Sequence, residues 1–341
     1  MAINSPISKE SITPDTIFKM LHGFWITGIL KAGIELEIFT KIAYGHKTID
    51  KIAEALESSR RGIRILLNAL CAIGLLTKSR DIYSLTPTAD KFLVKNKETY
   101  IGSFSSAIPL AHWEAFGRMA EAVKSGKPIV DFISCESKEW EEVALSLIPL
   151  ALPVADALCD IIGIGRGDKT GLKILDVACG SGIYGYTLLK HDPKSSVTGI
   201  DRQNVLRVAE NVAQKMGVAD RVVHRPGDIL AMTYGHNEFD IAIVSHILQG
   251  FGPEKGRRIL EKVYKALISG GMVVINDFVA DEERSIAKYP LLFACYMLIV
   301  TEDGDTYTFS EFKSWLDEVG FIDVTKHDIS GESTLITAIK G

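Results

Sequence analysis

Two glycines and two aspartates stand where successive strands of an α/β domain would end. Gly180 and Gly182 form a small-residue turn directly after the apolar run 173–177, and a helix start follows them. Asp201 lies 19 residues after Gly182 and ends a second strand-like run, and Asp228 closes a third. Because ligands of doubly wound sheets bind beyond the carboxyl ends of the strands, the pattern predicts that these groups share one edge of a sheet.

The chemistry that suits this edge is the binding of a nucleoside. Because glycine has no Cβ, the backbone at Gly180 and Gly182 can approach a ligand closely. The carboxylate of Asp201 can accept hydrogen bonds from both hydroxyls of a ribose. The further carboxylate of Asp228 suits a ligand with a ribose, an adenine and an amino-acid tail better than a pyrophosphate. A plain Rossmann-like domain, in which Asp201 caps a helix, is the alternative interpretation.

The bulk composition indicates a globular protein of two domains. The chain has 341 residues, of which 47% are hydrophobic, so it can bury a sizeable core. A net charge of −5 argues against nucleic acid or an anionic membrane as the main partner. Five scattered cysteines without a CxxC pair, and a polar N-terminus without a signal peptide, predict a cytoplasmic protein. Charged residues interrupt the apolar stretch 16–39, so we do not expect it to span a bilayer.

The N-terminal third predicts a mostly helical winged-helix domain. Thr13 and Pro14 begin a helix whose apolar side chains over 17–30 form a broad aromatic stripe. That stripe is wider than one small domain needs, so we expect burial against a second subunit, with packing inside its own domain as the alternative. Three further helices and a hairpin at 76–86 follow. The last of these helices, at 63–70, is apolar nearly all round, which predicts a buried helix and not one that reads DNA.

The remaining patterns complete an α/β fold. Strands are expected at 239–245 and 270–277, with a helix between them, and a helix and two strand-like runs close the chain. We therefore predict a winged-helix domain over 1–104, a helical connector over 105–165 and a Rossmann-like doubly wound sheet over 166–341.

The motifs at the three strand ends resemble those of the class I S-adenosylmethionine-dependent methyltransferases. Over nearly its whole length the chain resembles the plant and bacterial small-molecule O-methyltransferases of the caffeate and hydroxyindole type, as shown by residues 32–39, 66–76 and 83–86. The resemblance implies a homodimer built on the N-terminal domain, a small-molecule acceptor, and S-adenosylmethionine as the donor that becomes S-adenosylhomocysteine. The family usually has glycine where this chain has Ala178 and Cys179, so the turn is slightly fuller.

The resemblance also assigns binding residues. In the family the glycine turn holds the methionine end of the donor, the aspartate after the second strand holds the ribose, and the residues after the third strand hold the adenine. The cofactor-binding candidates are Asp176, Gly180, Gly182, Asp201, Asp228, Ile229 and Ser245. The substrate-binding candidates are His112, Trp113, Phe116, Tyr296 and Tyr307, and core packing is an equal alternative for any single aromatic among them. No metal-binding motif is present, so we expect no catalytic metal.

The catalytic positions depart from the family pattern. The family uses a histidine just after the fourth strand, oriented by two acidic residues. Counted from the fourth strand, and again backwards from residues 251–254, the histidine position falls on Gln249, which cannot take a proton. Asp277 keeps the first acidic position, but the second falls on Thr306. His246, three residues before Gln249, is a candidate base, and it faces the site only if the chain turns helically there; a structural hydrogen-bond donor is the alternative role.

Three mechanisms stay open. In the first, the acceptor has no proton to lose or ionises readily (a thioether, a thiol or an activated carbon), and Gln249 orients it. In the second, His246, Tyr296 or Tyr307 acts as the base. In the third, an acidic hydroxyl is methylated by positioning alone. Family frequency favours oxygen as the methylated atom, and the missing base favours sulfur or carbon. A ligand-sensing winged-helix regulator and a catalytically inactive homologue are the hypotheses from other classes.

Overall fold

The computed structural model of the protein describes residues 13–97, 99–107, 110–130, 139–167 and 169–341. The chain divides into two compact units, Ile7–Ile108 and Pro109–Gly341. Within the described ranges, no single helix is both long and apolar enough to cross a membrane. The bent pair Trp140–Ser146 and Ile148–Ile162 reaches that length and apolarity only when its two helices are taken together.

The N-terminal unit contains the expected winged-helix arrangement of helices and a two-stranded hairpin. Its elements are α1 (Pro14–Leu21), α2 (Gly23–Glu35), α3 (Ile38–Ala43), α4 (Ile49–Ala55), α5 (Arg60–Ala72), β1 (Leu76–Ser79), β2 (Ile82–Leu85), α6 (Pro87–Leu93) and α7 (Ser103–Ala107). Thr13 caps α1 as predicted, because its hydroxyl accepts a hydrogen bond from the backbone N–H of Thr16 at 3.3 Å. The single helix expected after Thr13 is wrong, since the chain breaks at His22 into α1 and α2.

The prediction of an all-round apolar helix at 63–70 is also wrong. Helix α5 buries only one face, through Ile63, Leu67 and Leu70. Arg64 and Asn68 lie four residues apart, so helical geometry places both on the opposite face, where both are exposed. The helix is therefore amphipathic, and the number of apolar residues alone does not show that one of its faces is polar.

The aromatic stripe on α1 and α2 is exposed in the single chain. Seven large apolar residues leave between 51% and 64% of their surface accessible: Ile17, Phe18, Met20, Leu21, Phe24, Trp25 and Ile26. Monomeric proteins rarely expose a contiguous patch of this kind, and such patches mark interaction surfaces. The exposure therefore agrees with the expected burial against a second subunit.

The C-terminal unit is built on one seven-stranded sheet with the order β5-β4-β3-β6-β7-β9-β8. The strands are β3 (Lys173–Val177), β4 (Ser196–Asp201), β5 (Val222–Pro226), β6 (Phe239–Ser245), β7 (Leu267–Asp277), β8 (Phe321–Asp328) and β9 (Thr334–Lys340). The first five are parallel, and β9 and β8 are antiparallel additions. Strand β3 lies between β4 and β6, which is the point where the strand order reverses and where such sheets bind ligands.

Helices cover both faces of this sheet, as a doubly wound fold requires. The helices of the unit are α8 (Leu110–Gly117), α9 (Met119–Ser125), α10 (Glu139–Ser146), α11 (Ile148–Ile162), α12 (Ile183–His191), α13 (Gln203–Met216), α14 (Pro253–Ala266), α15 (Lys288–Val300) and α16 (Phe309–Val319). Of these, α8, α9 and α15 pack on one another in a cluster of their own. One core joins the sheet to α11, α12 and α13, and the other joins it to α14 and α16. The predicted fold class is confirmed.

Candidate active site

The turn after β3 is built from left-handed residues. Ala178, Gly180 and Gly182 have φ angles of 54°, 57° and 75°, which is the region that favours glycine. A Cβ at Gly182 would enter the ring of Tyr186, whereas a Cβ at Gly180 would meet nothing within 4 Å. Gly182 is therefore needed by the fold itself, and Gly180 borders open space that a ligand can occupy.

The predicted strand-end carboxylates lie beside this turn. Asp201 Oδ2 accepts a hydrogen bond from the backbone N–H of Gly180 at 2.8 Å, and Oδ1 accepts one from Arg202 at 2.7 Å. Burial raises the pKa of Asp201, although both of these backbone donors oppose that shift. Asp228, in the next loop of the sheet, is exposed, and its Oδ1 accepts from the N–H of Leu230 at 2.8 Å. Ile229 beside it is 9% exposed.

A second polar cluster lies at the ends of β6 and β7. The amide of Asn276 donates from Nδ2 to Ser245 Oγ at 2.9 Å and to the Tyr184 hydroxyl at 3.0 Å. Asp176 is buried under the turn, where it accepts from the N–H of Gly185 at 3.3 Å and where burial raises its pKa to about 8. Tyr184 and Asn276 were not predicted as site residues, although Asn276 directly precedes the expected catalytic acid Asp277.

The predicted catalytic residues Gln249 and Asp277 are both buried. Gln249 lies in a short 3₁₀ turn after β6, and its Nε2 is 3.5 Å from the carbonyl of His246. Asp277 Oδ1 accepts from the N–H of Phe278 at 2.8 Å. Burial raises the pKa of the Asp277 carboxyl to about 7, opposed by the backbone N–H groups of Phe278 and Gln249. Gln249 Oε1 and Asp277 Oδ2 are buried and have no hydrogen-bond partner among the described residues.

His246 adopts a left-handed backbone conformation directly after β6 and not the helical turn that was expected, and its ring faces Asp277. The residue has a φ angle of 51°, and its N–H donates to the carbonyl of Asn276 at 2.8 Å. Its Nδ1 lies 3.9 Å from Asp277 Oδ1, and its Nε2 lies 3.3 Å from the hydroxyl of Ser333, in the loop before β9. The ring keeps 24% of its surface accessible. Protein packed around it lowers the pKa of the imidazole to about 4.

A row of aromatic rings leads away from His246. Its ring lies 4.5 Å from that of Phe278, which contacts Phe293 at 4.9 Å, and Phe293 in turn contacts Tyr296 at 5.5 Å, all between centroids. Tyr296 stacks on Phe116 at 6.2 Å. Tyr289 also joins the row, and the hydroxyl of Tyr296 lies 2.9 Å from His112 Nδ1. Three predicted substrate residues, His112, Phe116 and Tyr296, are thus brought together on α8 and α15.

Two other predicted site residues, Tyr307 and Thr306, are buried and bond to backbone carbonyls. The Tyr307 hydroxyl donates to the carbonyl of Phe251 at 2.6 Å, and its ring packs on Trp315 in the core. The Thr306 hydroxyl is fully buried and donates to the carbonyl of Pro290 at 3.1 Å. Trp113 lies on α8 and is 37% exposed. Of the described residues, no group of three or more His, Cys, Asp or Glu could hold a metal ion.

Family comparisons agree with this architecture in both units. A model described as a methyltransferase domain matches residues 168–318, and one described as an O-methyltransferase dimerisation domain matches residues 18–95. The tetracenomycin polyketide synthesis 8-O-methyl transferase TcmO of Streptomyces glaucescens is 27% identical over 332 residues, which cover 94% of this chain and 95% of TcmO. The chain belongs to the class I S-adenosylmethionine-dependent methyltransferases of the small-molecule O-methyltransferase family.

Further similarities extend over nearly the whole methyltransferase. The 3-hydroxy-5-methyl-1-naphthoate 3-O-methyltransferase of Streptomyces sahachiroi is 28% identical over 323 residues, which cover 91% of this chain and 90% of that enzyme. A solved chain from Nostoc punctiforme PCC 73102, described as a candidate O-methyltransferase, has a TM-score of 0.88 at 27% identity and covers 96% of this chain and 99% of its own. The match to the dimerisation-domain model supports a homodimer, for which the exposed stripe on α1 and α2 is a suitable surface.

The cofactor of this methyltransferase is S-adenosylmethionine, and the strand-end residues fit it. Gly180 borders open space, as close approach of a ligand to the backbone requires. Each oxygen of Asp201 accepts one backbone N–H, which leaves lone pairs for the hydroxyls of a ribose. When bound, the cofactor supplies a methyl group on a positively charged sulfur, the electrophile of the reaction.

Proposed function

We propose that this methyltransferase transfers a methyl group to the hydroxyl oxygen of a planar aromatic small molecule. The observation that supports this most directly is the row of rings from Phe116 through Tyr296 and Phe293 to Phe278, which ends at His246 beside Gln249. Aromatic rings stack on other flat rings with a gain of about 0.5–1.5 kcal/mol beyond the area they bury. A flat acceptor lying along this row would place its edge at the polar cluster.

The names of two relatives support the same acceptor class. TcmO is named for O-methylation in polyketide synthesis, and the Streptomyces sahachiroi enzyme for O-methylation of a hydroxylated naphthoate. A naphthoate is a flat bicyclic aromatic, and its hydroxyl is a phenol-type oxygen. We extend the class of acceptor to this chain, and not either individual substrate.

In this proposal Gln249 orients the acceptor and does not take its proton. Its Oε1 is buried without a partner among the described residues, and a buried unpaired polar atom costs about 1–3 kcal/mol. A second donor group of the acceptor, beside the reacting hydroxyl, would satisfy that oxygen and fix the direction of the attacking lone pair. Holding the attacking oxygen about 3 Å from the methyl carbon, in line with the sulfur, is the main requirement of the displacement.

The test is an acceptor screen with the purified full chain and S-adenosylmethionine. Naphthols and hydroxynaphthoates are compared with aromatic thiols, thioethers and activated carbon acids, and mass spectrometry and NMR identify the methylated atom. We expect oxygen-methylated products from the flat phenols and the formation of S-adenosylhomocysteine in equal amount. Methylation only at sulfur or carbon would refute the proposal, as would an absence of product while calorimetry still shows cofactor binding.

A matched pair of variants separates orientation from general damage to the site. Gln249→Ala removes the amide, and we expect a lower kcat/KM for phenols with an unchanged affinity for the cofactor. Phe104→Ala removes an aromatic of the other unit that is 39% exposed, and we expect wild-type kinetics from it. Equal kcat/KM in Gln249→Ala and the wild type would exclude the orienting role.

A further inference from the structure

We propose that His246 accepts the hydroxyl proton of the acceptor and that Asp277 positions it, so that a histidine displaced by three residues replaces the one missing at position 249. The inference rests on the proposed function, because only a hydroxyl acceptor has this proton to lose. It adds a base to a site in which Gln249 cannot serve as one.

The first support is the backbone at His246. Strand β6 ends at Ser245, and the next residue adopts a φ angle of 51°. A left-handed conformation costs a residue other than glycine roughly 1–2 kcal/mol and is kept where the surrounding structure enforces it. Here the N–H of His246 is tied to the carbonyl of Asn276 at 2.8 Å, at the end of the neighbouring strand β7. The residue after Asn276 is Asp277, so this bond sets the ring beside the carboxylate.

The second support is the placement of the two ring nitrogens. Nδ1 lies 3.9 Å from Asp277 Oδ1, and neither this nitrogen nor Asp277 Oδ2 has a hydrogen-bond partner among the described residues. Nε2 lies 3.3 Å from the hydroxyl of Ser333, a contact that a stronger donor can replace. Catalytic hydrogen bonds are often long in ligand-free structures and tighten when substrate binds. A proton on Nδ1 directed at Asp277 would leave the lone pair of Nε2 to accept the proton of the acceptor.

The third support is the difference in solvent accessibility between the two side chains. Asp277 is 1% exposed, whereas the His246 side chain keeps 24% of its surface accessible. The ring also contacts Phe278, the last member of the aromatic row. An acceptor stacked along that row therefore reaches the imidazole and not the carboxylate. Asp277 acts through His246 and is a positioning residue.

The charges around the pair favour this assignment. The groups that face Asp277 are the ring of His246, the backbone N–H groups of Phe278 and Gln249, and the phenols of Tyr184 and Tyr307. Burial raises the pKa of both phenols. Burial also favours the neutral imidazole, which is the form that can accept a proton. Once protonated, the ring would face an ionised carboxylate in a water-poor site, where opposite charges attract strongly. The two groups are therefore expected to titrate as a pair.

The atoms and electrons balance in one step. The O–H bond of the acceptor breaks, and its proton passes to Nε2 of His246. The electron pair of the oxygen forms the bond to the methyl carbon, while the bond between that carbon and the sulfur breaks and leaves its pair on the sulfur. The products are the methyl ether and S-adenosylhomocysteine, and the imidazolium then releases its proton to solvent.

The test compares His246→Asn, Asp277→Asn and the double variant in the full chain. Asparagine tolerates a left-handed backbone, so His246→Asn keeps the turn while removing the base. With a weakly acidic phenol we expect kcat to fall about 10²–10⁴-fold in each single variant, the usual range for a general base. The double variant should lose little more than either single one, because residues that act as a unit are not additive. With a nitrophenol that is already ionised at the assay pH, the loss should be less than about tenfold.

The control is His327→Asn, which removes a histidine bonded to Thr337 at 2.9 Å on β8 and β9 and should leave kcat unchanged. Cofactor affinity by calorimetry should stay within about threefold of the wild type in all variants. Equal losses with ionised and un-ionised phenols, additive losses in the double variant, or full activity of His246→Asn on the weak phenol would each overturn the inference. If the wild type itself methylates no phenol, the proposed function fails first and the inference fails with it.

Discussion

Replacing Asp201 by asparagine should separate cofactor binding from the stability of the fold. In the structure each oxygen of Asp201 accepts one backbone N–H, from Gly180 at 2.8 Å and from Arg202 at 2.7 Å. Asparagine keeps one acceptor oxygen but turns an NH₂ group towards the other donor. The variant therefore loses the charge, one of the two backbone bonds and an acceptor for a ribose hydroxyl.

The magnitude follows from the kind of bond that is lost. A hydrogen bond to a charged group contributes about 1.5–3 kcal/mol, which corresponds to a rise in the Kd for S-adenosylmethionine of roughly 10- to 150-fold. The free energy of unfolding of the cofactor-free protein should change much less than the free energy of cofactor binding. Burial raises the pKa of Asp201, so its ionised form destabilises the free protein at neutral pH, and that penalty is fully present above the folded pKa. Removing the charge relieves it and offsets the lost backbone bond.

The assay is calorimetric titration of the cofactor together with thermal unfolding of the free protein. Asp240→Asn is the matched control, because Asp240 Oδ2 also accepts a backbone N–H at 2.8 Å, from Lys173 at the opposite ends of the strands. We expect weaker cofactor binding only in Asp201→Asn, with unfolding temperatures of both free variants near that of the wild type. A Kd for Asp201→Asn within threefold of the wild type would refute the assignment of this carboxylate to the ribose.

Three further predictions follow from the structure. The pKa of Asp277 is about 7 in the folded protein and near 4 when unfolded, so its ionisation destabilises the fold as pH rises. In urea unfolding, the free energy of unfolding of Asp277→Asn relative to that of the wild type should therefore rise by about 3 kcal/mol between pH 5 and pH 8. A difference that stays constant with pH would contradict this. Trp25→Glu should convert the dimer to a monomer in sedimentation, whereas Val223→Glu, on the exposed part of β5, should not. Gly182→Ala should lower the free energy of unfolding by at least about 2 kcal/mol, because the new Cβ would enter the ring of a tyrosine and the backbone there is left-handed. Gly217 is also left-handed, but a Cβ there would meet no atom within 4 Å, so Gly217→Ala should cost only the backbone strain of about 1 kcal/mol.

The sequence pattern locates a helix, but it does not show where the helix breaks or which of its faces is polar. The predictions that the structure corrects share this cause. The helix expected after Thr13 was real but divides at His22, since nothing in its apolar spacing marks the break. Helix α5 was located correctly, yet its polar face appears only when residues 64 and 68 are placed on one side. Tyr307 stays a predicted site residue, and what its position in the chain does not show is that its buried hydroxyl bonds to the carbonyl of Phe251, a residue 56 positions away.

The sequence by itself determined the α/β fold, the glycine turn, the aspartates at the strand ends and the absence of a histidine at position 249. These follow from local periodicity and from residue types that the backbone demands. The tertiary structure alone decided which side chains meet: His246 reaches Ser333 across 87 positions, and Tyr296 reaches His112 across 184. Such contacts depend on how distant elements pack and on one left-handed residue after β6, and neither leaves a periodic signal in the chain.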